Sequence, residues 1–155
     1  MIYFHVFPVL KLLLRKTCLI VSLVVAVVAL CSYQGSKTSL TVHFTNLEQS
    51  SGAILIGLYN SADDFPKRER QFVKRWEKVN SSTLTVEYFD LPEGDYAIAA
   101  YHDLDSDKKC NTNFIGYPTE PFCFSNDVRP MLSAPSFDSA KFSVTGGEVI
   151  YIKMQ

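Results

Sequence analysis

The feature that most restricts the fold is a rhythm of short segments in which apolar and polar residues change places every second position. Leu40, Val42 and Phe44 alternate with Thr41, His43 and Thr45, and Leu84, Val86 and Tyr88 alternate with Thr83, Thr85 and Glu87. A period of two is the signature of a strand with one buried face. Residues 53–59 form a continuous apolar run after Ser50-Ser51-Gly52, which predicts a hairpin with the first strand. Tyr96, Ile98 and Ala100 open a further strand. Phe142 with Val144 and Ile150 with Ile152 predict a second hairpin around Gly146-Gly147. Short strands separated by Gly- and Asp-rich turns indicate an all-β antiparallel sandwich rather than a parallel sheet.

The run Leu91-Pro92-Glu93-Gly94-Asp95-Tyr96 supports this independently. Its spacing matches a tyrosine corner, in which the phenol bonds backbone a few residues upstream and pins the crossing between sheets. Two stretches break the rhythm. Over residues 66–79, Phe72, Val73, Trp76 and Val79 fit one face of a short helix whose other face is solvated and rich in Lys and Arg. Residues 103–139 carry no clear strand, yet hold Phe114, Tyr117, Phe122, Phe124 and Phe137. So many aromatics predict a long ordered loop rather than a disordered one.

The leading region reads as an export segment. Arg15 and Lys16 precede the uncharged residues 17–30, followed by Cys31, Ser32, Gly35 and Ser36. That run is shorter than the roughly 20 residues of a spanning helix, but residues 1–14 are also apolar, so an uncleaved membrane anchor is the alternative. The expected organisation is a signal peptide or anchor over 1–36 and a sandwich over 37–155, in a periplasmic, secreted or membrane-anchored protein. Beyond residue 31 there are 12 basic against 16 acidic residues, a net charge of −4. A mildly acidic body argues against nucleic acid as a partner. In an oxidising compartment the remaining pair, Cys110 and Cys123, is a disulfide candidate.

Residues 102–113, His-Asp-Leu-Asp-Ser-Asp-Lys-Lys-Cys-Asn-Thr-Asn, follow an apolar strand. Asp103, Asp105, Asp107 and Asn111 are spaced as oxygen ligands for a hard cation, Ca²⁺ first. The closing Glu of an EF-hand is missing, so Glu120 or Asp127 would have to supply it. The same residue types also build Asx-turns, in which the carboxylates cap backbone amides instead. His102, at the strand end, either fixes the loop or serves as base in a metal-assisted hydrolase. Ser125 lies between Phe124 and Asn126, without the glycines of a nucleophile elbow.

The segments Tyr59-Asn60-Ser61-Ala62-Asp63-Asp64-Phe65-Pro66, the corner 91–98, His102-Asp103, Thr112-Asn113-Phe114-Ile115-Gly116-Tyr117-Pro118, Phe124-Ser125-Asn126 and Ala134-Pro135-Ser136-Phe137 carry a resemblance. In this order and spacing they resemble the bacterial family known as domain of unknown function 2141. The resemblance implies a small exported all-β domain and no known substrate. Family members commonly read His-Asp-x-Asn-x-Asn-Gly-x-x-Asp-Thr-Asn in the acidic loop. Here Asp105 and Asp107 replace the Asn positions, Lys108 the Gly and Asn111 the later Asp. Losing that Gly makes a sharp turn harder.

Together these readings describe an immunoglobulin- or transthyretin-like β-sandwich acting as a non-catalytic module of the cell envelope. Its loop, held by Ca²⁺ or a disulfide, would present a surface to an envelope glycan, lipid or protein. His102, Phe114, Tyr117, Phe122, Phe124 and Asn126 are the candidate contact residues.

Overall fold

The computed structural model describes residues 37–47, 51–130 and 133–155. The expected leader, residues 1–36, lies outside the described residues. Among the described residues there are eight strands: β1 (Lys37–Thr45), β2 (Ala53–Tyr59), β3 (Val73–Lys78), β4 (Leu84–Pro92), β5 (Gly94–Asp103), β6 (Phe122–Phe124), β7 (Phe142–Val144) and β8 (Gly147–Lys153). A 3₁₀ turn, Ser125–Asp127, follows β6, and a single helical turn, α1 (Phe137–Ala140), precedes β7. The strands form a three-stranded sheet, β4-β1-β8, and a five-stranded sheet, β3-β2-β5-β6 with β7 on the start of β5. The fold is the expected all-β sandwich.

Alternation in β1 and β4 translates directly into burial. Leu40, Val42, Phe44, Val86 and Tyr88 face the second sheet and meet Ile54, Ile56, Leu58, Tyr96 and Ile98 in one core. The corner forms as expected, with the Tyr96 hydroxyl donating to the Pro92 carbonyl at 2.8 Å where the chain passes from one sheet to the other.

The central strands β2 and β5 are buried on both faces, which explains the unbroken apolar run 53–59. Their inward residues join the main core. Leu55, Tyr59, Ala97 and Tyr101 point the other way and pack with Phe65, Phe122, Phe124 and Ala140 in a second cluster. Residues from 60–72, 103–130 and 133–141 cover this outer face.

Three expectations are corrected. Residues 66–79 hold no helix; turns lead into β3, which pairs antiparallel with β2. The apolar residues there fit a helical period and split between the two faces of the strand, and the open edge of β2 selected the strand against that local pattern. Its charges suit an edge strand, where they discourage pairing with other chains. Arg75 shows how: it pairs with Glu77 at 2.5 Å and lies over the Tyr88 ring. Secondly, β1 and β2 lie in different sheets and form no hairpin. Thirdly, β7 pairs with β5 while β8 pairs with β1, and the latter pairing is parallel, with Val42 opposite Ile150. The tight Gly146-Gly147 link therefore carries the chain between sheets.

Candidate ligand-binding site

On the outer face of the five-stranded sheet the side chains are unequal in size. Leu55, Tyr59 and Tyr101 stand beside Gly57, Ala97 and Ala99, the small residues that β2 and β5 place on this side. The small ones leave a depression that the covering segments do not fill. The result is a cavity of about 410 Å³, within the roughly 300–1,000 Å³ of small-molecule sites. Its floor is Leu55, Tyr59, Ala99 and Tyr101; β6 adds Phe122 and Phe124. Ile115, Tyr117 and Pro118 of the long loop form one wall, Pro66, Arg68 and Gln71 another, and Pro130, Ser133 and Ala134 a third. Gly57 is needed beneath this floor: a Cβ there would stand 2.8 Å from both the Gln71 and Tyr59 side chains and push them into the cavity.

The long-loop wall is held by its own carboxylates. Asp103, buried at the end of β5, accepts the amides of Asp107 at 3.2 Å and Lys108 at 2.9 Å. Asp105 accepts the Asp107 amide at 3.1 Å and the Asn111 side chain at 2.8 Å. Asp107 accepts the Lys109 amide at 2.7 Å. Glu120, also buried, ties the two ends of the segment together, accepting from Leu104 N and Asn111 N at 3.0 Å each. Further out, the Asn113 side-chain oxygen accepts the amides of Ile115 and Tyr117. The arrangement is a chain of Asx-turns closed by one glutamate, and Lys108 takes a φ of +64°, the conformation for which glycine is the easy residue.

The expected metal set is rearranged. Oxygens of Asp103, Asp105 and Glu120 come within 4.8 Å of one another. Asp107 is turned to the Lys109 amide, and Asn111 presents its nitrogen, not its oxygen, to Asp105. Asp127 lies elsewhere, accepting from Lys153 N at 2.8 Å. The disulfide is a correction as well: Cys110 and Cys123 are both free. Cys123 points into the main core whereas Cys110 packs against the outer cluster, so the sheet separates the two thiols. Burial raises the pKa of each, which disfavours the thiolate form.

Of the expected contact residues, Tyr117, Phe122 and Phe124 line the cavity, with the Tyr117 and Phe122 rings edge to face at 5.7 Å. The others do not. Phe114 is 99% exposed at the loop tip. His102 is buried, donates from Nε2 to the Ser51 carbonyl at 2.6 Å, and as Asp103's neighbour in a strand faces away from the carboxylates. Asn126 clamps the residues after β6 to α1, donating to the carbonyls of Ser139 and Lys141. Ser125 is equally occupied, donating to the Ala140 carbonyl at 2.6 Å and accepting from Ile98 N at 2.9 Å. The base, nucleophile and carboxylates of a hydrolase are therefore not brought together by these residues.

Two tyrosines give the floor its polarity. Burial pushes the Tyr59 hydroxyl up to about 12, opposed by a hydrogen bond from Gln71, and it donates to the Lys67 carbonyl at 3.2 Å. Burial likewise pushes Tyr101 up to about 12, opposed by the Arg68 guanidinium. The Tyr101 hydroxyl is buried and has no hydrogen-bond partner.

The protein is thus a small β-sandwich whose larger sheet carries a ligand-sized, largely apolar cavity behind a self-braced acidic loop. The chain belongs to the bacterial family described as an uncharacterized protein conserved in bacteria (DUF2141), which matches residues 42–151. No curated protein and no solved structure matches it.

Proposed function

We propose that this domain is an exported, non-catalytic binding module of the cell envelope that holds a small, mainly apolar molecule in the cavity beside the acidic loop. One observation carries the reading: a cavity of about 410 Å³, walled by Tyr117, Phe122 and Phe124 and floored by strands of the main sheet. Apolar lining with few polar groups is the usual composition of a ligand site. The basic-then-apolar leader supports export. The occupied state of Ser125 and His102 supports binding rather than turnover.

The test uses the neutral fluorophore phenylnaphthylamine. Saturable enhancement at one site per chain is expected. Ala99→Phe, which places a ring on the half-buried floor, should weaken it by about ten-fold or more. Ala134→Trp does the same from the exposed rim if the first variant fails to fold. Enhancement that neither folded variant alters would place the fluorophore elsewhere and defeat the proposal.

A second reading, a loop that takes up Ca²⁺, is favoured by the convergence of Asp103, Asp105 and Glu120. Their oxygens already cap amides, so the ion would share them in a weak site of roughly 10⁻⁴–10⁻³ M. Millimolar Ca²⁺ added to chelator-treated protein should raise the melting temperature, and Asp105→Ala should remove the rise. An unchanged melting temperature refutes this reading.

A further inference from the structure

Arg68 is the one charged residue among the described residues lining the cavity. It is exposed and therefore sits at the rim rather than on the floor. Its only hydrogen bond among the described residues is a long one, 3.4 Å from Nη2 to the Lys108 carbonyl, and it takes part in no ion pair there. The acidic groups beside it in sequence are engaged elsewhere. Glu69 pairs with Lys74 at 2.7 Å and Asp64 with Arg70 at 3.5 Å. Glu120, which lies near Cys110 and Tyr101, spends both oxygens on backbone amides. Among the described residues no carboxylate lines the cavity, so Arg68 has an open guanidinium at the edge of an apolar hollow.

Below it stands Tyr101, whose buried hydroxyl lacks a partner. A buried donor without a partner loses its bond to water and gains nothing in return. A ligand with an acceptor group reaching past Arg68 would relieve that cost after a small shift of the ring. A guanidinium fork matches a carboxylate with two parallel hydrogen bonds, which an alcohol or an amine cannot reproduce. A cationic ligand would meet repulsion from Arg68 and find no carboxylate on the wall.

Resting on the cavity reading above, we infer that the ligand is a small amphipathic carboxylate, its apolar body against Tyr117, Phe122 and Phe124 and its acid group on Arg68 and Tyr101. The apolar body supplies most of the affinity by leaving water, and the acid group supplies orientation and selectivity. An ion pair at an exposed rim is weakened by salt, so the preference for acids should shrink as ionic strength rises.

Calorimetric titration of the full-length chain with phenylbutyrate and decanoate, and with the matching alcohols phenylbutanol and decanol, tests this. The acids are expected to bind about ten-fold tighter than their alcohols at low salt, with the gap narrowing at about 1 M salt. Arg68→Gln should close the gap, and Arg68→Lys should restore part of it, a rescue that a merely structural role for Arg68 would not produce. Acids and alcohols binding equally well would overturn the carboxylate inference and leave the cavity reading standing. If none of the four compounds binds, both fall.

Discussion

Asp103→Ala is expected to destabilise the domain by about 3 kcal/mol, since it deletes two hydrogen bonds from backbone amides to a buried carboxyl side chain, each contributing about 1.5–3 kcal/mol net. The bonds run to Asp107 and Lys108, and they turn the chain back at the end of β5. Without them Lys108 loses the bond to its amide and is held at φ +64°, a conformation costing a non-glycine residue about 1–2 kcal/mol, only by the long Arg68 contact to its carbonyl and the Asp107 turn beside it. The loop should open locally, the amides of Asp107 and Lys108 should lose protection from hydrogen exchange, and phenylnaphthylamine binding should fall because Tyr117 and Ile115 leave the cavity wall. Urea unfolding gives the magnitude. A loss below about 0.5 kcal/mol, the usual range for a surface substitution, would mean that the loop is held by something other than its acidic side chains.

Gly52→Ala should be comparably damaging, at about 3 kcal/mol, for a steric reason. Gly52 has φ +76°, and a Cβ there would lie inside contact distance of the Asp103 carbonyl, with the Leu104 Cα at 3.2 Å. Both obstacles are backbone and cannot swing aside. Left-handed strain of about 1–2 kcal/mol therefore adds to an overpacking cost of about 1–3 kcal/mol. The neighbouring Ser51 carbonyl receives the His102 ring, so the turn before β2 and the end of β5 are built as one joint. Gly52→Ala and Asp103→Ala disturb that joint from opposite sides. The double variant should cost less than the sum of the singles, as expected of residues in contact. Strict additivity in urea titrations would show that the glycine and the loop are independent.

The comparison between chain and fold is clearest at individual segments. Leu40, Val42 and Phe44 were legible because alternation is a local property: any sheet that buries one face of that strand buries those three. The tyrosine corner was legible for the same reason, since the Tyr96 hydroxyl reaches only as far as Pro92. The acidic loop was legible as a structure that supports itself, because Asx-turns join residues two to five positions apart. Its pairing of Asp105 with Asn111 was not, and the choice of Glu120 over Asp127 as the closing carboxylate stayed open, since those contacts depend on where the segment returns to the sheet.

Residues 72–79 mark the limit. Phe72, Val73, Trp76 and Val79 satisfy a helical period, whereas in a strand they divide between the two faces, Phe72 and Trp76 on one and Val73 and Val79 on the other, so nothing within the segment favours the strand. The unpaired edge of β2 does, by offering a row of backbone partners that a helix would leave unmet. The parallel partnership of β1 and β8 is of the same kind, a decision between strands more than a hundred residues apart. The cavity belongs with these non-local outcomes. Tyr117, Phe122 and Phe124 announced themselves as aromatics in a loop, but Leu55, Ala99 and Tyr101 beneath them read as ordinary strand residues. They became a floor because two central strands put their small residues on one side, and Arg68 became its rim because the turns before β3 fold across it. Local chemistry wrote the strands, the corner and the braced loop into the chain; long-range packing chose the pairings and, through them, opened the hollow.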